Sequence, residues 1–98
     1  MAIGPDQQGY TFDPPSIVAH APHASGVYAL YHPRRWVYVG ESNDIQRRLL
    51  EHFQEVGTCI KLQGATGFQF ETVMADTRVP RQNHLIATLT PVCNQRMG

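Results

Sequence analysis

The chain has 98 residues, enough for one domain and too few for a second. Apolar residues make up 42% and charge is not gathered into low-complexity runs, which excludes a disordered chain. Eight Lys and Arg balance eight Asp and Glu, which argues against a large nonspecific grip on a polyanion.

The balance is uneven. Residues 1–33 carry only Asp6 and Asp13, while residues 34–98 hold all eight bases and six acids, a local surplus that could serve a phosphate site. No run of about 18 apolar residues and no basic-then-apolar leader occurs, so no membrane span is expected and a cytoplasmic, intracellular location is. Cys59 and Cys93 lack Cys-x-x-Cys spacing and are read as reduced, partly buried fillers rather than a bridge.

Residues 1–22 read as an N-terminal arm that either folds over the domain or trails from it, and residues 23–98 as the domain. Pro14-Pro15 is expected to break regular structure, and Ile17, Val18 and Ala19 to form at most one short turn. Val27–Tyr31 and Trp36–Val39, rich in β-branched and aromatic residues, flank His32-Pro33-Arg34-Arg35 and predict an antiparallel hairpin. Tyr28 and Tyr38 should then share one face, with Val27, Ala29, Val37 and Val39 on the other.

Ser42-Asn43-Asp44 precedes a helix over about 44–55, with Asn43 and Gln46 at capping-box spacing. Its apolar stripe is Ile45, Leu49, Leu50, Phe53 and Val56, and Arg48 and His52 lie on one flank. Residues 57–67 give no clear element. Phe68 to Met74 alternate as a third strand, and a second helix starts near Pro80 and runs through Leu85, Ile86 and Leu89 until Pro91. The fold class is α+β, a small three-stranded antiparallel sheet flanked by helices.

Gly26-Val27-Tyr28, then Tyr38-Val39-Gly40-Glu41-Ser42, then Arg47-Arg48, His52 and Phe53 together resemble the GIY-YIG nuclease family. The likeness covers residues 24 to 94, and both tripeptides at this separation followed by a helix-borne arginine are specific in combination. Toward the carboxy terminus, Gln82-Asn83-His84-Leu85-Ile86, Pro91 and Asn94 are similar to the segment found in the bacterial excision-repair nuclease subunit. The resemblance implies a metal-dependent endonuclease scaffold acting on DNA, with Mg2+ or Mn2+ as cofactor. It says nothing of oligomeric state, and a protein partner stays open.

By that resemblance Tyr28 contacts or activates the attacking water, and Tyr38 helps arrange the water and phosphate. Arg48, eight residues beyond Gly40, holds the scissile phosphate. His52 matches a histidine seen in many members, and Asn94 braces the site from the end of the last helix. Arg47 stands beside Arg48 as a second candidate substrate contact, although Glu51 at i+4 offers it an ordinary surface partner. Gln82 occupies the position of the glutamate that binds the divalent ion.

The chemistry suits these residue types. In-line attack on a phosphodiester needs an oriented water and positive charge against the phosphoryl oxygens, which a guanidinium fork supplies bidentately. A phenol with ordinary pKa about 10 is a weak base unless its surroundings help, whereas a histidine near 6.5 can relay a proton at neutral pH. Magnesium favours charged oxygen, so Gln82 predicts weak metal binding and impaired cutting. Two origins stay open: a form of an active nuclease disarmed by a shape-preserving exchange, or a natural member with lost or altered cleavage. The alternative function is a catalytically inactive module binding nucleic acid or protein.

Overall fold

The computed structural model describes residues 3–94. Residues 1–2 and 95–98, the outer ends of the expected arm and domain, lie outside them. In chain order the elements are β1 (Tyr10–Thr11), α1 (Pro14–His20), β2 (Gly26–His32), β3 (Arg35–Ser42), α2 (Ile45–Gln54), α3 (Cys59–Leu62), β4 (Gly67–Thr72) and α4 (Arg78–Leu89), with 3-10 turns at Ala75–Thr77 and Val92–Asn94.

The hairpin forms as its sequence predicts, β2 pairing antiparallel with β3 from Gly26↔Ser42 to His32↔Arg35 around Pro33-Arg34. The sheet has four strands rather than three, in the order β1-β4-β2-β3, all pairs antiparallel. The missed strand is β1, whose two residues pair with β4 at Tyr10↔Phe68 and Thr11↔Gly67. Two residues carry no alternation that sequence could reveal; their strand character comes wholly from the partner. The third expected strand stops at Thr72, and Met74 is exposed.

Residues 3–21 lie on the domain. Pro14-Pro15 does not break structure there but starts α1: Asp13 Oδ1 accepts from Ser16 N at 3.0 Å, and prolines in the first turn forfeit only amides that have no helical partner. The α2 cap is likewise Asp44, which accepts from Arg47 N at 3.0 Å, and not Asn43. Val56 falls beyond α2 and is exposed rather than part of its stripe.

Each face of the sheet carries an apolar cluster. Helices α1, α2 and α3 cover Tyr28, Leu30, Val37 and Phe68 with Ile17, Ile45, Leu49 and Ile60. On the opposite face α4 places Leu85 over Val27, Ala29 and Val39, with Ile3 of the arm beside them. Each aliphatic side chain fully buried in this way contributes about 1.5–3 kcal/mol. Val37 belongs with the Tyr28 face and not, as alternation predicts, with Val39. The cause is a register irregularity between Leu30 and Tyr31: Leu30 pairs with Tyr38 and Tyr31 with Trp36, so Val37 is the extra residue of a bulge.

Cys59 and Cys93 form a disulfide, with Cα atoms 5.7 Å apart, where sequence predicts free thiols. It ties the start of α3 to the Val92–Asn94 turn after α4. Among the described residues no helix is long and apolar enough to cross a membrane.

Candidate active site

Tyr28 in β2 and Tyr38 in β3 are diagonal neighbours across the hairpin, since Tyr28 pairs with Gly40 and Leu30 with Tyr38. Their rings lie on one face with centroids 6.2 Å apart. Gly40 makes this possible: a Cβ there would collide with the Tyr28 hydroxyl and the Tyr38 ring. The second glycine of the paired tripeptides is thus required by close approach, not by an unusual backbone angle.

Helix α2 crosses this face and brings His52 to both rings, 5.6 Å from Tyr28 and 5.2 Å from Tyr38 between centroids. The Tyr28 hydroxyl and His52 Nε2 are 2.7 Å apart, and His52 Nδ1 lies 3.1 Å from Glu55 Oε1. An ionised carboxylate only accepts, so Nδ1 carries the imidazole proton and Nε2 accepts from the phenol. The result is a directed chain in which Tyr28 donates to His52 and His52 donates to Glu55. The sequence motifs do not single out Glu55, although its i+3 spacing from His52 is the spacing of helical neighbours.

Electrostatics keep this chain neutral at its centre. Burial and the neighbouring Tyr38 push the Tyr28 phenol far above its ordinary value, with Arg48 pulling the other way. Burial holds His52 below 6.5; Arg48 adds to that, while Glu55 opposes it. At neutral pH the pair is therefore a neutral phenol and a neutral imidazole able to accept its proton.

Arg48 lies near enough to the Tyr28 hydroxyl to act on its titration, and reaches Glu51 Oε1 at 3.1 Å and Glu55 Oε2 at 3.6 Å. Tyr28 and His52 are 1% and 3% exposed, whereas Arg48 keeps 35% of its side-chain surface, so the cation is the group that meets solvent. Arg47 points elsewhere: it donates to Asn43 Oδ1 at 3.0 Å, sits 3.8 Å from Glu51, and is mostly exposed.

Asn94 acts on the strand and not on the rings. Its Oδ1 accepts from Val39 N at 2.6 Å and its Nδ2 donates to Val39 O at 2.9 Å. Strand β3 is a sheet edge, so this carboxamide imitates a further strand and fixes the backbone between Tyr38 and Gly40.

Gln82, half-buried in α4, makes no hydrogen bond to the Tyr28 and His52 pair among the described residues. The carboxylates near α4 are already committed, Glu41 to Arg78 at 2.8 Å and Glu71 to Arg81 at 2.7 and 3.0 Å. Among the described residues no three His, Cys, Asp or Glu side chains gather to hold an ion. Magnesium is usually held by one or two carboxylates plus water, and the Gln82 carboxamide supplies an oxygen without that charge.

Over residues 24–78 the chain matches the GIY-YIG catalytic domain. The UvrABC system protein C of Dichelobacter nodosus (strain VCS1703A) is 27% identical over 95 residues, covering 91% of this chain and 16% of that protein, so the chain spans less than a fifth of that relative. A point mutant of the GIY-YIG N-terminal endonuclease domain of UvrC from Thermotoga maritima, bound to its catalytic divalent cation, has a similar fold: TM-score 0.68 at 22% identity, over 79% of this chain and 89% of that one. The magnesium-bound form of that domain gives a TM-score of 0.66 at 22% identity, over 78% of this chain and 89% of that one.

Proposed function

The chain belongs to the GIY-YIG family, and from that premise we propose that it is an endonuclease domain holding a DNA phosphodiester against Arg48, with cutting impaired by Gln82. The observation that carries this reading is the 2.7 Å contact between the Tyr28 hydroxyl and His52 Nε2 with the Arg48 guanidinium alongside. An attacking water gives its proton to the Tyr28 oxygen as the phenol's own proton passes to His52. Glu55 stabilises the imidazolium that results. Arg48 sets positive charge against the phosphoryl oxygens as charge develops there. Tyr38 packs against both rings and orients them, and Asn94 holds the Tyr38 strand in register. Arg47, at the rim, adds at most a screened contact to a neighbouring phosphate.

The missing element is one negative charge. Gln82→Glu is expected to raise Mg2+- or Mn2+-dependent cutting of a panel of nicked, branched and duplex DNA well above the parent. If the variant takes up the ion and still cuts nothing, the enzymatic reading fails. The chain's neutral balance and the pairing of Glu41 and Glu71 with arginines favour a second reading, a module that binds DNA without cutting it. That reading predicts DNA affinity that falls with salt in parent and variant alike. The domain is placed in the cytoplasm on this account, where cellular reductants would open the Cys59–Cys93 bridge.

A further inference from the structure

A cavity of about 380 Å³ opens at the tip of the β2–β3 hairpin, and none of Tyr28, Arg48 or Gln82 lines it. That volume lies within the range of about 300–1,000 Å³ typical of small-molecule sites. Its floor is aromatic. Tyr31 and Trp36 pair across the hairpin and meet edge to face, with centroids 5.8 Å apart. One wall is the arm, through Pro5 and Gln7.

That wall is built in. Gln69, 5% exposed, accepts from Gly4 N at 2.9 Å and donates to the carbonyls of Gly4 and Gln7 at 3.1 and 2.8 Å. Gly9 passes so close over the Tyr31 ring that any side chain there would overlap it. The Gln7 carboxamide, a donor and an acceptor, makes no bond among the described residues and remains able to read a polar edge.

The rim is cationic. Arg34 and Arg35 both line the cavity, and no acid does; Asp6, the nearest in sequence, is exposed and outside the lining. Arg35 is held by Gln63, its Nε donating to Oε1 and its Nη2 to the backbone oxygen, each at 3.0 Å. The Arg34 guanidinium pairs with nothing among the described residues; only its backbone N–H is engaged, by His32 Nδ1 at 3.2 Å. An aromatic floor, an amide able to donate and accept, and a free guanidinium at the mouth are what a base with its phosphate requires.

We propose that this pocket takes an unstacked nucleobase of a single-stranded polynucleotide, with the ring against Trp36 and the phosphate against Arg34. The inference goes beyond the cutting reaction and does not rest on it. It gives the neutral chain a local grip on a strand where its overall charge supplies none.

Trp36 is the only tryptophan in the chain, so its fluorescence reports the pocket alone. Titrating the protein in low salt and EDTA with short oligothymidylate should quench Trp36 saturably, and an abasic oligomer of equal length should not. Labelled oligothymidylate should bind Trp36→Ala about tenfold or more weakly. Arg34→Gln should lower the salt slope of binding by about 0.7, one single-strand phosphate contact. Trp36→Phe keeps a packing ring and should recover part of the affinity, which separates stacking from folding. Quenching by thymidine monophosphate but not by the oligomer would overturn the polynucleotide assignment in favour of a free-nucleotide site. Equal quenching by the abasic oligomer, or none by any probe, would overturn the base pocket itself. EDTA suppresses divalent-dependent cutting, so a failure here leaves the nuclease reading untouched, and the reverse holds.

Discussion

On the α4 face of the sheet Arg81 closes on Glu71 with two bonds of 2.7 and 3.0 Å and Arg78 closes on Glu41 at 2.8 Å, whereas on the α2 face Arg48 divides itself between Glu51 and Glu55 at 3.1 and 3.6 Å. The same residue types serve opposite ends. Arg81 engages both Glu71 oxygens, which is the saturated pair, and Glu71 also accepts from Ile3 N at 2.9 Å, so it anchors a helix and the arm. The α2 pairs are loose, and Glu55 has a second duty in holding His52 toward Tyr28. Saturated ion pairs hold structure; unsaturated ones leave charge available to a ligand.

The largest effect that would break this contrast is on rate. In a Gln82→Glu background Arg48→Ala should slow cutting about 10²–10³-fold, the usual loss when one preorganised donor to a developing anion is removed. Its stability should change by no more than about 1 kcal/mol, because a partly exposed pair is screened. Urea denaturation beside a cutting assay checks both.

Next in size is the tie between the two regions. The Cys59–Cys93 bridge links α3, under the α2 face, to the turn that places Asn94 on Val39. Its partners are 34 residues apart, so Cys93→Ser should cost about 2–4 kcal/mol in non-reducing urea melts, and a reductant should bring the parent to the same level.

Arg81→Ala is the mirror of Arg48→Ala. It leaves Glu71 short of its main partner in a site where the two side chains are 29% and 12% exposed, so about 1–3 kcal/mol of stability should be lost with cutting rate little changed.

The smallest effect is a pH dependence that separates the two faces. His52 titrates below 6.5 in the folded chain, so the unfolded chain binds more protons between those values and stability falls as pH drops below about 6.5. Glu71 is held below its ordinary 4.5, because Arg81 and Ile3 N outweigh its burial, and its contribution is lost only at more acid pH. His52→Gln should abolish the first decline, seen in urea midpoints between pH 7.5 and 5.5, and leave the second.

What the sequence reveals of this molecule follows the range of the forces involved. The hairpin and α2 are legible because strand alternation and helical spacing are recorded in neighbouring residues. Strand β1 and the bulge at Val37 are not, since pairing across 58 positions at Tyr10↔Phe68 and a one-residue slip leave no local trace. Pro14-Pro15 misleads because the same rings that break a helix interior start a helix behind an aspartate cap. Spacing alone could not pair Cys59 with Cys93. At the candidate site the paired tripeptides carried Tyr28, Tyr38, Arg48 and His52 to one place. Glu55 is not legible there, because it belongs to no motif and is defined only by the nitrogen it faces.

If a single absent charge holds back Arg48 and the Tyr28–His52–Glu55 chain, restoring it restores cutting. Nicking of supercoiled plasmid in Mg2+, compared at equal DNA occupancy between Gln82→Glu and Gln82→Glu with Arg48→Ala, tests that directly. The single variant should nick, and the double should bind but nick about 10²–10³-fold more slowly. Equal nicking by the two, or none by the single variant with its ion bound, would contradict it.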